Sequence, residues 1–169
     1  WERLADADYG GFYGRVTGKE ELIKDAPKGA VLQSRILWTF SAASRVLRDK
    51  DYLLYAVKAK DFVIDRLYDR LYGGVFWSVD HKGEPLDTKK QFYALGFALY
   101  GLSEFHRATG DPEALERAIE LFRDIEKHSY DRIYGGYIEA TARDWSEIKD
   151  NRLSAKDANE KKSMNTHLH

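Results

Sequence analysis

The sequence predicts an all-α fold, an incomplete α/α toroid in which helix pairs are joined by short β-hairpins, on three observations. The tripeptide Tyr-Gly-Gly recurs at residues 9–11, 72–74 and 134–136, at intervals of 63 and 62 residues. Between the copies, apolar residues fall at helical spacing. Aromatic residues make up 14% of the chain, with 11 Tyr, 8 Phe and 4 Trp. That density fills helical cores, and it also lines carbohydrate clefts, where flat rings stack on sugar C–H faces; composition does not choose between the two. A period near sixty residues marks a repeat architecture, in which each unit buries its apolar face against its neighbours.

The elements follow in chain order. Residues 1–7 read as the tail of a helix. Around the glycine pairs, Asp69-Arg70-Leu71 before Tyr72 matches Asp131-Arg132-Ile133 before Tyr134, and Asp8 precedes the first copy. After each pair comes an aromatic or β-branched run: Phe12-Tyr13-Gly14-Arg15-Val16, Val75-Phe76-Trp77-Ser78-Val79 and Tyr137-Ile138-Glu139-Ala140. Each run reads as a short strand opening a hairpin, because paired glycines permit a tight turn and the following residues favour extended chain. Residues 29–47 form an inner helix with Leu32, Ile36, Phe40, Ala43 and Leu47 on one face. Residues 51–68 form a more exposed outer helix, with Leu54, Val57, Phe62, Ile64 and Leu67. Residues 88–109, capped by Asp87 or Thr88, carry two stripes: Phe92, Leu95, Leu99 and Leu102, and also Tyr93, Phe97 and Tyr100. A helix apolar on both sides is a buried one.

Gly110-Asp111-Pro112 ends that helix and starts the next, with Gly at the C-terminus, Asp as N-cap and Pro at the first helical position. The following helix runs to about residue 128 with Leu115, Ala118, Ile119, Leu121, Phe122 and Ile125 apolar. Residues 163–169 read as the first turn of a third inner helix. The chain thus holds about two complete helix pairs, and closure with six would need roughly twice this length or more. Residues 1–169 are expected to be the N-terminal part of one (α/α)6-barrel catalytic domain, with an apolar seam that destabilises the piece in isolation.

Composition excludes several classes of function. Lys and Arg number 27 against 28 Asp and Glu, a net charge of -1, which offers nucleic acid or an anionic membrane no electrostatic footing. No apolar run approaches the ~18 residues needed to span a bilayer. The absence of cysteine rules out disulfides and thiolate chemistry and fits a reducing compartment, so a cytoplasmic location is expected. No nucleophile elbow, P-loop or dinucleotide fingerprint occurs.

Three clusters of residues could carry chemistry. Arg35 and Trp38 lie on the mostly apolar first inner helix. Arg35 either snorkels at the helix edge or points into a polar cavity, where a planar cation would stabilise a developing oxyanion. Tyr93 lies just over one turn inside the second inner helix and needs a partner for its hydroxyl if buried. In Met164-Asn165-Thr166-His167-Leu168-His169, the two histidines point about 200° apart on a helix and cannot share a metal ion. Asn165 and His169, four apart, share a face and are expected to line one cavity. His81, His106 and His128 are read as solvated. Glu104 and Glu139 are candidate glycosidase acids that nothing in the sequence pairs.

The strings Arg35-Ile36-Leu37-Trp38-Thr39-Phe40, Phe76-Trp77-Ser78-Val79, Pro85-Leu86-Asp87-Thr88-Lys89-Lys90, Tyr100-Gly101-Leu102-Ser103-Glu104 and Ser163-Met164-Asn165-Thr166-His167-Leu168-His169 resemble the cellobiose 2-epimerase branch of the N-acylglucosamine 2-epimerase superfamily. They occur in the same order over essentially the whole chain, and the last is the most specific. The resemblance implies an (α/α)6 barrel that epimerises C2 of the reducing-end glucose of cellobiose or lactose. The sugar ring opens, the C2 proton leaves, and a cis-enediolate is reprotonated on its opposite face, with two histidines as base and acid. It implies no metal or redox cofactor.

By the same resemblance Arg35 neutralises the enediolate oxygen and Tyr93 contacts the sugar. Asn165 binds substrate hydroxyls, His169 holds the supporting hydrogen-bond network, and Trp38 is a weaker substrate contact. The acid–base histidines belong to the second half of the family's chain, so none of the five here is assigned that role and the isolated piece is expected to be inactive. Gln91 and Leu95 depart from the family's His and Gln, which puts the disaccharide preference in question if they touch substrate. The competing expectations are an N-acylglucosamine 2-epimerase or mannose aldose–ketose isomerase, a hydrolase on a related toroid, and a non-catalytic helical-repeat protein that binds carbohydrate or partners.

Overall fold

The computed structural model describes residues 2–169; Trp1, the start of the expected helix tail, lies outside them, and Glu2–Leu4 form a single 3-10 turn. In chain order the elements are β1 (Lys28–Gly29), α1 (Ala30–Leu47), α2 (Lys50–Phe62), a π-helical turn (Val63–Leu67), β2 (Ser78–Val79), β3 (Pro85–Asp87), β4 (Lys90–Gln91), α3 (Phe92–Thr109), α4 (Pro112–His128), β5 (Ala140–Thr141) and α5 (Met164–Leu168). This is the incomplete α/α toroid expected from the repeat. Among the described residues no helix is long and apolar enough to cross a membrane.

The inner helices α1 and α3 lie side by side and run parallel. Arg35 meets Phe97, Trp38 meets Tyr100 and Arg45 meets Glu104, ascending together along both helices. Gly101 permits this approach: a Cβ there would lie 2.7 Å from the Ser34 carbonyl oxygen. The outer helices α2 and α4 pack behind α1 and α3. Both helix-to-helix turns follow local rules. Arg48 takes left-handed φ 56° and Asp49 caps α2 through the Asp51 N–H; Gly110 takes φ 77° and Asp111 caps α4 through the Ala114 N–H.

One apolar core includes Phe12, Leu37, Phe40, Phe62, Leu67, Phe76, Leu95, Leu102, Phe105 and Leu121. The outer helices meet the inner ones through small residues, Ala56 and Ala59 on α2 and Ala114 and Ala118 on α4. Their larger apolar residues are displaced to the flanks. Leu54, Val57, Leu115, Ile119 and Phe122, expected inside, are exposed, as are Leu32 and Leu47 on α1. The second stripe of α3 also differs from expectation: Tyr93 and Phe97 are half-buried and Tyr100 is exposed, because this stripe faces the open side of the helix layer.

The expected hairpins are present in reduced form. Each Tyr-Gly-Gly turn is closed by one bridge, Ala5 to Phe12, Tyr68 to Val75 and Tyr130 to Tyr137. The strand before one inner helix then pairs with the strand after the next glycine turn: β1 with β2, which also pairs β3, and β4 with β5, all antiparallel. All six glycines of the three turns have positive φ between 64° and 80°, backbone that other residues resist. Neither Asp87 nor Thr88 caps α3. Gln91 holds the cap position without a side-chain capping bond, the Asp87 carboxylate accepts the Lys89 N–H, and the Phe92 N–H donates to the Glu139 carbonyl.

Candidate functional site

The three inner helices open at the same end, and the residues singled out in the sequence gather there. Arg35 stands in the second turn of α1, Tyr93 in the first turn of α3, and Asn165 and His169 on α5. The His169 ring lies 4.6 Å from Tyr93 and 5.0 Å from Phe97, centroid to centroid. The Arg35 guanidinium lies 5.5 Å over the same Phe97 ring, so Arg35 follows the recess wall by a cation–π contact while its fork stays exposed. Trp38 stacks on Tyr100 at 4.9 Å with planes 10° apart. A recess of about 390 Å³ is lined by Arg35, Gly96, Phe97, Tyr100, Leu168 and His169.

Local geometry determines what these groups can do. A Cβ at Gly96 would lie 3.4 Å from the His169 carbonyl oxygen, in ordinary van der Waals contact, so the end of α5 lies against α3. The His169 Nδ1 lies 2.8 Å from the Asn165 carbonyl. A carbonyl only accepts, so Nδ1 carries a proton, and Nε2 is the ring nitrogen turned away from the helix backbone. The Tyr93 hydroxyl has no hydrogen-bond partner among the described residues. A planar cation, an imidazole, a free phenol and an aromatic wall form a set that can bind a polyhydroxylated ring and stabilise an oxyanion.

Asn165 departs from expectation. It shares a helix column with His169, but it opens on a separate recess of about 190 Å³ with Glu139, Arg152 and Ser163. His167 faces the third glycine turn instead. Its Nδ1–H donates to the Ser163 carbonyl at 2.6 Å, and its Nε2 accepts the Tyr137 N–H at 2.9 Å. Gly136 admits the ring, since a Cβ there would overlap Nε2.

The other histidines are not simply solvated. His81 meets Tyr9 edge-on, His106 bonds the Asp111 carbonyl, and His128 stacks on Trp145 at 4.2 Å. Burial, and then Lys127, holds the His128 pKa below its usual value. Glu104 pairs with Arg45 across α1 and α3 and with Arg107 on its own helix, while the Glu139 carboxylate binds the first turn of α5. The two acids are separately engaged in structure. Gln91 and Leu95 are fully buried; the Gln91 amide donates to the Asn151 and Arg152 carbonyls, and Leu95 belongs to the core.

Sequence reasoning missed a frame that holds this end together. Each inner helix begins two residues after a lysine, and each lysine bonds an aspartate three residues before the tyrosine of a glycine turn. The pairs are Lys28–Asp6 at 2.7 Å, Lys90–Asp69 at 2.9 Å and Lys162–Asp131 at 2.6 Å. In every copy the aspartate Oδ1 also accepts two backbone N–H groups of its own turn. The equivalent residue in the first copy is Asp6, not Asp8. The signal was present as an aspartate three residues before each tyrosine, but a lysine 21 to 31 residues later has no spacing rule to reveal it.

Burial pushes the Asp6 carboxyl up, yet the Lys28 ammonium and the Tyr9 and Asp8 N–H groups outweigh it and hold it below the usual range. Burial opposes ionisation of Asp69 as well, but Arg143 and Lys90 hold it well below that range. Asp131, bonded first by Lys162, is lowered to about 2.

The model of the N-acylglucosamine 2-epimerase (GlcNAc 2-epimerase) family matches residues 11–158. A cellobiose 2-epimerase of Bacteroides fragilis is 62% identical over 168 residues, covering 99% of this chain and 43% of its own length. One from Ruminococcus albus is 43% identical over 169 residues, again 43% of its length. The solved cellobiose 2-epimerase of Bacillus thermoamylovorans B4167 superposes with a TM-score of 0.94 at 39% identity, over 99% of this chain and 43% of that one. The chain therefore spans less than half the length of these relatives. With a family match over most of its residues, a fold that superposes along nearly all of it and an open recess at the inner-helix ends, the chain belongs to the N-acylglucosamine 2-epimerase family.

Proposed function

We propose that the full-length protein epimerises C2 of the reducing-end glucose in β-1,4 disaccharides such as cellobiose or lactose. The observation that carries this reading is the recess in which Arg35 and His169 flank one aromatic wall with the free Tyr93 hydroxyl beside it, in a chain 62% identical to a cellobiose 2-epimerase. In this reading, Tyr93 and the ring faces hold the opened sugar. A base removes the C2 proton, and the electron pair left behind delocalises onto the carbonyl oxygen as a cis-enediolate. The Arg35 guanidinium neutralises that oxygen. An acid then returns a proton to the opposite face of C2, giving the mannose epimer with no net redox change. His169, with Nδ1–H bonded to its own helix, presents Nε2 to the hydrogen-bond network around the substrate.

Asn165 reaches substrate hydroxyls only from its own recess, and Trp38, stacked on Tyr100, supports the wall. The base and acid are assigned to histidines beyond residue 169, and the 169-residue piece alone is expected to show no turnover. Incubating the full-length protein with cellobiose, N-acetylglucosamine and mannose tests the reading. Glucosyl-mannose from cellobiose supports it, and its absence sinks it. Product only from N-acetylglucosamine, or fructose from mannose, would assign the recess to a monosaccharide epimerase or isomerase. Release of new reducing ends would indicate hydrolysis.

A further inference from the structure

Glu139 takes no part in the chemistry proposed above, yet it joins the two helices that bring Tyr93 and His169 together. The residue is 4% exposed. Its Oε1 accepts the Ser163 N–H at 2.8 Å and its Oε2 accepts the Thr166 hydroxyl at 2.7 Å, so both oxygens hold the first turn of α5. Its backbone carbonyl accepts the Phe92 N–H, the first of α3, at 3.0 Å, and its N–H donates to the Lys161 carbonyl at 2.9 Å. One residue thus fastens the starts of both helices.

The preceding repeat separates what is general here from what is particular. Trp77 stands at the equivalent place, three residues after the second glycine, and its carbonyl accepts the Ala30 N–H at the start of α1, also at 3.0 Å. The backbone bond therefore belongs to the repeat. The side chain does not, because the Trp77 ring lies against the Lys89 ammonium at 5.5 Å. Among the described residues, only in the third copy does a carboxylate reach across to the next inner helix. There it satisfies an N–H that a helix start leaves without an intrahelical partner, and its negative charge sits at the end of the helix that favours it.

We infer that Glu139 is a positioning residue, whose carboxylate sets the roll and height of α5 so that His169 meets Tyr93 and Phe97. Its consequence for turnover rests on the epimerase reading above; its geometric consequence does not. Because a displacement of about 1 Å at a reacting group can cost up to ~100-fold in rate, Glu139→Ala in the full-length protein is expected to lower kcat at least about tenfold while KM stays within about twofold. Glu139→Gln keeps an acceptor for the Ser163 N–H and an amide against the Thr166 hydroxyl, so it is expected to restore kcat to within about threefold of wild type.

The independent readout is the His169 ring signal in protein labelled at histidine Cε1, shifted by the rings of Tyr93 and Phe97. Glu139→Ala should move it and Glu139→Gln should return it. An unmoved His169 signal, an unchanged kcat, or a glutamine variant as impaired as the alanine one overturns the inference, the last by giving the charge itself a chemical role. Should Glu139→Ala not fold, Thr166→Val with Thr166→Ser as its rescue makes the same comparison. If wild type epimerises none of the three sugars, the functional reading falls, and the His169 signal alone decides the positioning role.

Discussion

Replacing Asp69 by Asn isolates the energetic role of the buried frame. Asparagine retains an oxygen for the Leu71 and Tyr72 N–H groups, bonded now at 3.1 and 3.4 Å, so the turn keeps its local bonds and loses only the charge. What remains is the Lys90 ammonium, with a side chain 0% exposed, and the Arg143 guanidinium, which no longer finds its carboxylate at 2.8 Å. Removing one partner of a buried pair costs about 3–5 kcal/mol. The rings of Phe76 and Trp145, 5.0 and 5.5 Å from the ammonium, retain part of the electrostatic favour, so the lower end, about 3 kcal/mol, is expected.

The third copy supplies the internal control. Lys162 and Asp131 are 28% and 21% exposed, water replaces the lost partner there, and Asp131→Asn should cost less. Urea denaturation followed by tryptophan fluorescence measures both, and the double variant Asp69→Asn/Lys90→Met should recover part of the single loss, since it no longer strands a charge. Equal losses for Asp69→Asn and Asp131→Asn, or a loss below about 1 kcal/mol for the former, would refute the view that burial makes this pair costly to break.

Further expectations concern acid stability, the helix contact and the recess. With a folded pKa of about 2 and an ordinary unfolded value near 4, Asp131 contributes stability that is fully present above about pH 4 and lost as the pH falls toward 2. The stability difference between wild type and Asp131→Asn should therefore be flat from neutrality to about pH 5 and vanish near pH 2 in urea titrations. Gly101→Ala places a methyl group 2.7 Å from the Ser34 carbonyl and 3.2 Å from Leu37. It should cost about 1–3 kcal/mol by separating α1 from α3, despite the better helix propensity of alanine. Arg35→Lys in the full-length protein keeps the charge but loses the planar fork, and should lower kcat by about 10²-fold or more with a smaller change in KM.

Much of this fold is legible because its rules are local. The Gly110-Asp111-Pro112 junction, the helix over residues 30–47 and the third inner-helix start each follow from the spacing and chemistry of adjacent residues. Which face of each helix is buried was legible only in part. The outer helices approach through alanine, so periodicity of large residues drew attention to Leu54, Leu115 and Phe122, which lie on the flanks. The cap of α3 is supplied by the Glu139 carbonyl from a turn 47 residues downstream, and nothing local foretells it. The same holds for the site. Arg35, Tyr93 and His169 were recognisable on their helices, but the Asp–Lys frame and the carboxylate of Glu139 act across long sequence separations. The separation of Asn165 from the Arg35 recess depends on the placement of α5, which spacing along one helix does not describe.

The frame and the site divide the work at the open end of the helix layer. Each lysine stands two residues before its helix, so the ion pair fixes where the helix begins without occupying any position on its inward face. Arg35, Tyr93 and His169 then lie within about the first two turns, on backbone held from behind by the glycine turn and, for α1 and α3, by the cross-repeat carbonyl. The starts of α1 and α3 also place their partial positive charge at that end, beside the Arg35 cation. An anion in the recess would meet this field from a framework that need not rearrange to supply it, which suits the enediolate of the proposed reaction. The carboxylates that balance the lysines point away into the turns. Their pairing with Lys28 and Lys90 is buried, so they neutralise the frame without cancelling the field in the recess.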